Sequence, residues 1–446
     1  MILPKWWQIA VLILLALLLN FLYLGLGDYN FFLGALMCAC LIAGCYCSLI
    51  LDKPELGILS IIVALAFTDK RLDYMSYTFQ LIYLAVAISF IHYFISHITD
   101  RKFFWFFAIF IGSYHILLFM VRPQTSFPWT LNCMQQLAIF LWCILIKWDV
   151  KKIMNIVVPY MVYLLAYGFI EKLTINPVRI GGPTTYATNY AVLLVFLWVM
   201  WFVYSYLSKK NLLILVPVSF LTAFAVFLSG TRMGFLGLLV GFFGAIGSKL
   251  WINNSDKSLS KKMLYIIPAS LFVALLVMGI WQFLPENLVL IRSWNVLLSG
   301  KLDSSSLGRI ACWITAIESF YKEPIWGIGP GNFIIEHTKF LSQFSLINNN
   351  SLVPLGHAHS IGLNVLAENG LVGFAVLSIV LIICWVQLLR FLLNQPKNPL
   401  GYALFFGGFI IFSLPMIDMI PSPGWDSWYY GVLASLGFHR KSFSHS

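Results

Sequence analysis

The sequence contains little charge, and this excludes most soluble folds. Only 10% of the 446 residues are Asp, Glu, Lys or Arg and 60% are hydrophobic, whereas a soluble domain carries about 25% charged residues. Apolar runs of about 18 residues or more recur along the chain, which is the length that a helix needs to cross a bilayer. The runs are continuous rather than alternating, which disfavours a transmembrane β-barrel. We therefore predict an all-α polytopic membrane protein.

Acidic residues are scarcer than basic ones. The chain has 17 Asp and Glu against 28 Lys and Arg, which gives a formal net charge of +11. In a soluble protein this balance would suggest nucleic acid as a partner. In a membrane protein, Lys and Arg in the loops set the orientation of the spans and bind anionic substrates. We therefore predict membrane lipids and an anionic substrate as partners, and no nucleic acid.

The sequence also lacks a recognisable metal site. Four of its eight cysteines lie within 38–47, but no histidine or carboxylate accompanies them, so we interpret them as small packing residues. The cysteines indicate no disulfide framework. His357 and His359 are two residues apart, and the HExxH pattern of a zinc site is missing. We predict no metal ion and no cofactor.

The apolar runs predict a chain that crosses the membrane many times. A few runs are short for a full crossing, so we expect about 12–14 transmembrane helices. If the N-terminus is cytoplasmic, alternation puts almost every cluster of Lys and Arg on the cytoplasmic side, as the positive-inside rule requires. Both termini are then predicted to be cytoplasmic. The apolar runs are 7–26, 30–50, 55–68, 75–97, 103–121, 128–147, 153–172, 187–207, 211–229, 232–250, 263–284, 360–394, 399–417 and 425–438.

One long segment, 285–358, falls on the opposite, external side. It is longer than an inert connector needs to be, so we predict a functional loop that contains short helices. The predicted organisation has three parts: an N-terminal transmembrane bundle over 1–284, the large external loop over 285–358, and C-terminal transmembrane helices with a cytoplasmic tail over 359–446.

Arg232 lies at the junction of two apolar runs, in the stretch SGTRMGFLGLLVG. A guanidinium at this depth is costly unless it reaches the interface, pairs with an anion or binds a ligand. Two interpretations stay open here. One is an interfacial anchor, which is common, and the other is a binding site for an anionic substrate.

The external loop contains a predicted helix in SSSLGRIACWITAIESFYKEP. Its apolar residues recur at helical spacing, and Pro324 ends it. Ser306 is the predicted N-cap, which puts Arg309 in the first turn, where an anion could meet both the guanidinium and helix amides. A surface salt bridge is the alternative role for Arg309. The following GIGPGN looks like a phosphate-binding loop but follows no strand, so we predict a tight turn.

His357 and His359 precede an apolar helix that we predict to stop near Gly370. A helix N-terminus favours the neutral imidazole, which is the form that a general base needs near pH 7. The alternatives are a zinc ligand and a structural histidine. Glu368 lies about two and a half helical turns beyond His359, too far to orient its ring directly, and we predict that it caps the turn ENG.

Together, these stretches resemble the core of one family. SGTR, SLGRIACWITAIESFYKEPIWGIGPGNF and HAHSIGLNVLAENGLVGF, in this order, are similar to the bacterial O-antigen ligase and O-antigen polymerase superfamily, with a resemblance over residues 185–420. The resemblance implies a metal-independent, inverting glycosyltransferase of GT-C-like architecture in the bacterial inner membrane. It also implies an undecaprenyl-diphosphate-linked glycan as donor, and an active site and long loop on the periplasmic side.

The resemblance assigns roles to individual residues. It implies that Arg232 and Arg309 bind the diphosphate and that His359 is the catalytic base. Arginine suits a leaving diphosphate because it is planar, always charged and bidentate, and imidazole suits the removal of a proton from a sugar hydroxyl. Secondary candidates are His357, Arg179 and Asn189.

Three activities fit these features. A ligase transfers O-antigen to lipid A–core in lipopolysaccharide biosynthesis, whereas a polymerase joins lipid-linked repeat units, and both need the same donor site. The resemblance favours the ligase. A lipid-linked oligosaccharide transporter is the alternative from another class. Transport predicts charged residues deep within the spans, whereas the marked residues here gather at one face and in one loop.

Overall fold

The computed structural model describes residues 53–59, 102–121, 127–174, 187–209, 212–253, 304–348, 355–417 and 425–436. All regular structure in these ranges is helical and none of it is strand, which confirms the all-α prediction for this part of the chain. Residues 54–59 form a short helical segment. The longer helices are α1 (Lys102–Val121), α2 (Phe127–Leu145), α3 (Val150–Thr174), α4 (Ala187–Ser208), α5 (Leu212–Ser229), α6 (Arg232–Asn253), α7 (Ser304–Lys322), α8 (Phe333–Asn348), α9 (Ile361–Asn394), α10 (Pro399–Ile417) and α11 (Trp425–Leu436).

Four helices within the described ranges are long and apolar enough to cross a bilayer. They are Val150–Leu173 in α3, Ala187–Ser208 in α4, Met233–Ile252 in α6, and α9. Length and composition identify these four, and shorter apolar helices lie in α1, α2, α5 and α10. The chain is therefore a helical membrane protein. The total of 12–14 spans includes segments outside the described residues and stays a prediction.

The helices fall into two compact units. The first contains Val150–Lys301 and Leu388–Phe412, and therefore α3 to α6 and the end of α9 with most of α10. The second contains Phe21–Asp149, Leu302–Gln387 and Ser413–Ser446, and therefore α1, α2, α7, α8, the larger part of α9, and α11. These units group helices by their packing, whereas the three parts predicted from the sequence group them by topology, and that division stays a prediction.

In the first unit, α4 is the central helix. It is buried along most of its length and packs against α3, α5 and α6. Glycines let α6 approach it closely, because a methyl group on Gly237 would lie only 2.6 Å from Val195 Cγ1. One turn earlier in α6, Gly234 approaches Ala191, which is also one turn earlier in α4 than Val195. Because the contacts advance along both helices in the same order, α4 and α6 run in the same direction. The start of α6 lies beside the start of α4 as a result.

In the second unit, α7 and α8 form a helical pair that packs through small side chains. Ala311, Cys312 and Ala316 are buried on the inner side of α7, while the larger Ile314 and Ile317 are exposed. Cys312 and Ala316 belong to one cluster with residues of α8, of the segment that leads into α9, and of α9 itself. The cluster consists of Cys312, Ala316, Phe333, Ala358 and Ala367.

The long helix α9 is divided, as the sequence predicted. Its 34 residues contain one non-helical position, Gly370, with φ 62° and ψ −162°. The turn after α7 is bonded to both sides of this kink: Leu371 N donates to Pro324 O at 2.8 Å, and Ile328 N donates to Ala367 O at 2.9 Å. The first part of α9 is thereby held against the loop between α7 and α8.

Candidate active site

Arg232 begins α6, directly after the tight turn that ends α5. Gly230 forms this turn with φ 63°, a left-handed conformation that glycine adopts without steric cost. The junction predicted from the sequence is therefore confirmed. Asn189 is buried near the start of α4, and because α4 and α6 run in parallel from adjacent starts, both residues lie at one end of the first unit. Arg179 lies outside the described residues.

Arg309 lies in the second turn of α7. This helix begins at Ser304, so the prediction that Ser306 is the N-cap is wrong, and Arg309 lies further from the helix terminus than predicted. Backbone amides are unsatisfied only in the first turn of a helix. An anion bound at Arg309 would therefore not also contact the free amides at the start of α7, as the predicted cap required. The predicted end is confirmed, since α7 stops at Lys322, before Pro324.

Cys312 and His337 form a buried contact beside Arg309. Cys312 Sγ lies 3.8 Å from both ring nitrogens of His337. Burial raises the pKa of the Cys312 thiol to about 12, against smaller lowering effects of the Arg309 charge and a backbone hydrogen bond. The thiol is therefore protonated near neutral pH and acts as a packing residue rather than a nucleophile.

His337 is a part of the site that the sequence analysis missed. It is buried in α8, and the amide of Leu355 donates to its Nδ1 at 3.1 Å, which supports a ring that is neutral and protonated on Nε2. Burial lowers the pKa of His337; a hydrogen bond from Nδ1 of the protonated ring to the Leu355 carbonyl would raise it, and the neighbouring His359 lowers it. His337 thus connects α8 to Leu355, in the segment that leads into α9. Its only signal in the sequence is its spacing of four residues from Phe333 and from Leu341, which puts it on an apolar helix face. The structure buries all three residues.

His357 and His359 lie together just before α9. Their ring centroids are 4.5 Å apart with an edge-to-face orientation, and His359 N donates to His357 Nδ1 at 3.3 Å. Ser360 caps the helix, because Leu363 N donates to its Oγ at 3.4 Å. The helix begins at Ile361, which confirms that both histidines precede it.

His359 has a strained backbone. Its φ is 49°, in the left-handed region that residues with a side chain rarely occupy. Such a conformation costs on the order of 1–3 kcal/mol and persists only where the surrounding structure holds it. Strained residues of this kind cluster at active sites and switch regions. The conformation directs attention to His359 independently of any motif.

Glu368 is the buried carboxylate of this region. Its Oε1 accepts hydrogen bonds from Gly331 N at 2.9 Å and Phe333 N at 3.2 Å, which are amides at the start of α8. Its Oε2 accepts one from Asn364 Nδ2 at 3.1 Å. The prediction that Glu368 caps its own turn is therefore wrong, because its carboxylate caps a different helix. The charge of a carboxylate is favourable at that position.

The loop GIGPGN is a tight turn, as predicted. Asn332 N donates to Gly329 O at 3.2 Å, and Gly327, Gly329 and Gly331 all have positive φ. The loop does offer amide donors to an anion, as its similarity to a phosphate-binding loop suggests. The anion that they bind, however, is the carboxylate of Glu368 in the same chain.

The predicted site residues divide between the two units. Arg309, His357 and His359 belong to the second unit, where His337, Asn364 and Glu368 join them, and Arg232 and Asn189 belong to the first. Within the described ranges, no three His, Cys, Asp or Glu side chains are grouped so that they could hold a metal ion.

Comparison with known families identifies this region. Residues 217–378 match the family model described as O-antigen ligase, a range that runs from α5 into α9 and includes Arg232, Arg309 and His359. Residues 217–378 are thus similar to the O-antigen ligase family, and we call this range the O-antigen ligase domain after the model that it matches. The resemblance inferred from the sequence is thereby confirmed. Members of the O-antigen ligase family are glycosyltransferase-like ligases and polymerases. No curated protein matches the chain.

Proposed function

We propose that this protein transfers a glycan from undecaprenyl diphosphate to an acceptor sugar hydroxyl, and that the reaction is the ligation of O-antigen to lipid A–core. The observation that carries the proposal is the strained backbone of His359 within the O-antigen ligase domain. The surroundings of His359 hold a titratable ring where α9 begins, beside the helix that contains Arg309. A general base needs such a fixed orientation.

In the proposed mechanism, Arg232 and Arg309 bind the diphosphate of the donor. Negative charge grows on the leaving phosphate oxygen as its bond to the sugar breaks, and a guanidinium placed there stabilises the transition state. Arginine provides this charge without a proton to lose and can contact two phosphate oxygens at once. The mechanism therefore needs no metal ion and no cofactor.

His359 is the proposed base. The acceptor oxygen forms a bond to the anomeric carbon while the bond from that carbon to the phosphate oxygen breaks. The electron pair of the broken bond leaves with the diphosphate, and the hydroxyl proton passes to the neutral imidazole of His359. Attack from the face opposite the leaving group inverts the anomeric configuration. His357 and Asn189 are secondary candidates for contacts with the substrates, together with Arg179.

The resemblance to the O-antigen ligase family also supports a location, because it implies a lipid-linked donor that is used on the periplasmic face of the membrane. We therefore propose a GT-C-like protein of the bacterial inner membrane with cytoplasmic termini and a periplasmic active site. The four long apolar helices supply a setting in which the isoprenoid chain can remain in lipid.

The decisive experiment is a transfer assay with the purified protein in lipid nanodiscs. The donor is an undecaprenyl-diphosphate glycan, and lipid A–core or a second lipid-linked repeat unit is offered as acceptor. We expect glycan on lipid A–core with wild type, and none with Arg232→Ala, Arg309→Ala or His359→Ala. A lengthening lipid-linked ladder would identify a polymerase instead. No product with either acceptor, combined with glycan movement across sealed vesicles, would contradict the proposal and support a transporter.

A further inference from the structure

We propose that Glu368 and Asn364 are positioning residues that hold His359 in its reactive orientation through a directional chain of hydrogen bonds. The inference rests on the proposed function, since it treats His359 as the residue that takes the proton. Neither side chain is assigned to contact the substrates. Both act through the backbone next to His359.

We call this set of hydrogen bonds the Glu368–Asn364 chain. Gly331 N and Phe333 N donate to Glu368 Oε1, and Asn364 Nδ2 donates to Glu368 Oε2 at 3.1 Å. Asn364 Oδ1 in turn accepts from Ala358 N at 3.0 Å. Glu368, Asn364 and Ala358 are all buried, so water does not replace these bonds easily. The turn after α7 is thereby connected to the residue that precedes His359.

The direction of these bonds explains the two residue types. Both ends of the chain are backbone amides, which can only donate, so the side chains between them must accept at both ends. A carboxylate accepts on both oxygens, and an amide accepts on one side and donates on the other. Glu368 followed by Asn364 therefore satisfies every partner. A second amide in place of the carboxylate would set two donors against each other.

The chain acts on His359 because that residue cannot hold its own backbone conformation. With φ at 49°, the peptide must be fixed from outside, and Ala358 is fixed on one side by Asn364. On the other side, Ser360 O accepts from Asn364 N at 2.8 Å, so Asn364 bonds to the residues before and after His359. Loss of the Glu368–Asn364 chain would allow the His359 ring to adopt other orientations.

The same logic predicts which substitutions fail and which pair recovers. Glu368→Gln keeps the acceptor for Gly331 and Phe333, but places an NH₂ group against the NH₂ group of Asn364. Asn364→Asp places a second carboxylate against Glu368. The double variant Asn364→Asp/Glu368→Gln restores every donor and acceptor, because the introduced glutamine donates to the introduced aspartate, which also accepts from Ala358 N. The number of charges is also unchanged.

The test measures kcat and KM for transfer by the four proteins, with Glu318→Gln as a matched control. Glu318 is an exposed glutamate on α7 in the same unit, and it takes no part in the Glu368–Asn364 chain. We expect each single variant to lower kcat by on the order of 10- to 100-fold, since a small displacement of a reacting group has this effect. KM for the donor should stay within about 2-fold, because the diphosphate site is untouched. The double variant should recover most of kcat.

Hydrogen exchange of the peptide that contains Ala358 and His359 gives a readout that does not depend on transfer. We expect faster exchange in each single variant and near wild-type exchange in the double variant. If wild type shows no transfer but the exchange rates change as expected, the proposed function is wrong while the structural role of the Glu368–Asn364 chain is supported. Unchanged exchange in Glu368→Gln, or a double variant no better than the singles in either readout, would overturn the inference. A parallel fall in kcat and a rise in donor KM would indicate a general structural role and overturn it as well.

Discussion

At the scale of single residues, histidines and cysteines of the same region have different roles in the structure. His359 has the strained backbone and is the proposed base, whereas His357 accepts a hydrogen bond from its amide. His337 joins α8 to the same segment and has no motif of its own. Cys312 is buried beside it with a raised pKa and has a packing role. Residue type alone does not separate these roles.

The first prediction concerns the proposed base. His359→Gln removes a titratable ring while keeping a polar side chain, so we expect transfer to fall by at least about 100-fold, the scale of a general base. The measurement is the initial rate of glycan transfer, with thermal unfolding to confirm that the variant folds. His115→Gln, in α1 and outside the O-antigen ligase domain, is the control and should keep full activity. A folded, active His359→Gln protein would refute the assignment.

The second prediction concerns pH and His337. Its pKa is lowered from 6.5, chiefly by burial, so the folded state takes up the proton only at lower pH than the unfolded state does. The stability that neutral His337 provides is therefore present above pH 6.5 and is lost as pH falls through the lowered pKa. We expect the difference in Tm between wild type and His337→Gln to shrink on acidification below that value.

Tm is measured for both proteins over this pH range, with Ser342→Ala as control. Ser342 is exposed on the same helix and does not titrate, so its effect on Tm should be constant with pH. A difference for His337→Gln that is equally constant would show that the ring does not titrate differently in the folded state.

At the scale of elements, two glycines fix the geometry between the loop after α7 and the kink in α9. Gly327 and Gly370 both have positive φ, and a methyl group on Gly327 would overlap the Glu368 carbonyl, while one on Gly370 would overlap Ile325 O. Leu371 and Val372 donate to the loop directly after the kink. The two backbones lie too close for any side chain at these positions.

The third prediction follows from this close approach. Gly327→Ala and Gly370→Ala should each lower the free energy of unfolding by more than about 1 kcal/mol, because both introduce a left-handed backbone with a side chain and a steric overlap. Gly308→Ala is the matched control. It lies in α7 with open space around it, so alanine should be neutral or stabilising by up to about 1 kcal/mol. Tm values of the three variants measure the contrast, and equal effects would contradict the packing described.

At the scale of the whole molecule, the charge excess of the sequence agrees with the proposed substrate. The formal charge is +11, and the proposed mechanism uses arginine to bind a diphosphate. The O-antigen ligase domain includes α6, α7, α8 and the start of α9. The range that matches the family model therefore includes helices long and apolar enough to cross a bilayer as well as α7 and α8.

The fourth prediction tests charge compensation for the protein as a whole. If arginines alone stabilise the leaving diphosphate, removal of divalent cations with EDTA should leave the rate of transfer within about 2-fold, because no metal takes part in the step. The measurement is the transfer rate before and after chelation and after re-addition of Mg²⁺. A loss that only the added ion restores would contradict a metal-independent mechanism.

Much of the fold could be predicted from the sequence because its signals are local. Apolar runs of spanning length gave helices such as α4 and α6 to within a few residues of their predicted bounds, and Gly370 divided α9. The start of α7 was misplaced because the sequence offers four successive residues of cap-forming type, Asp303 and the serines 304–306. Where a helix begins among equivalent caps depends on packing rather than on residue type.

The sequence by itself determined the class of the molecule, most of the described helices and the candidate residues Arg232, Arg309 and His359, because hydrophobic length and motif order are properties of neighbouring residues. Tertiary structure alone decided which polar groups meet. Glu368 bonds to Gly331 across 37 residues of chain, and His337 bonds to Leu355 across 18. No periodicity encodes such pairs, since they depend on how helices pack and on which buried donors then need an acceptor.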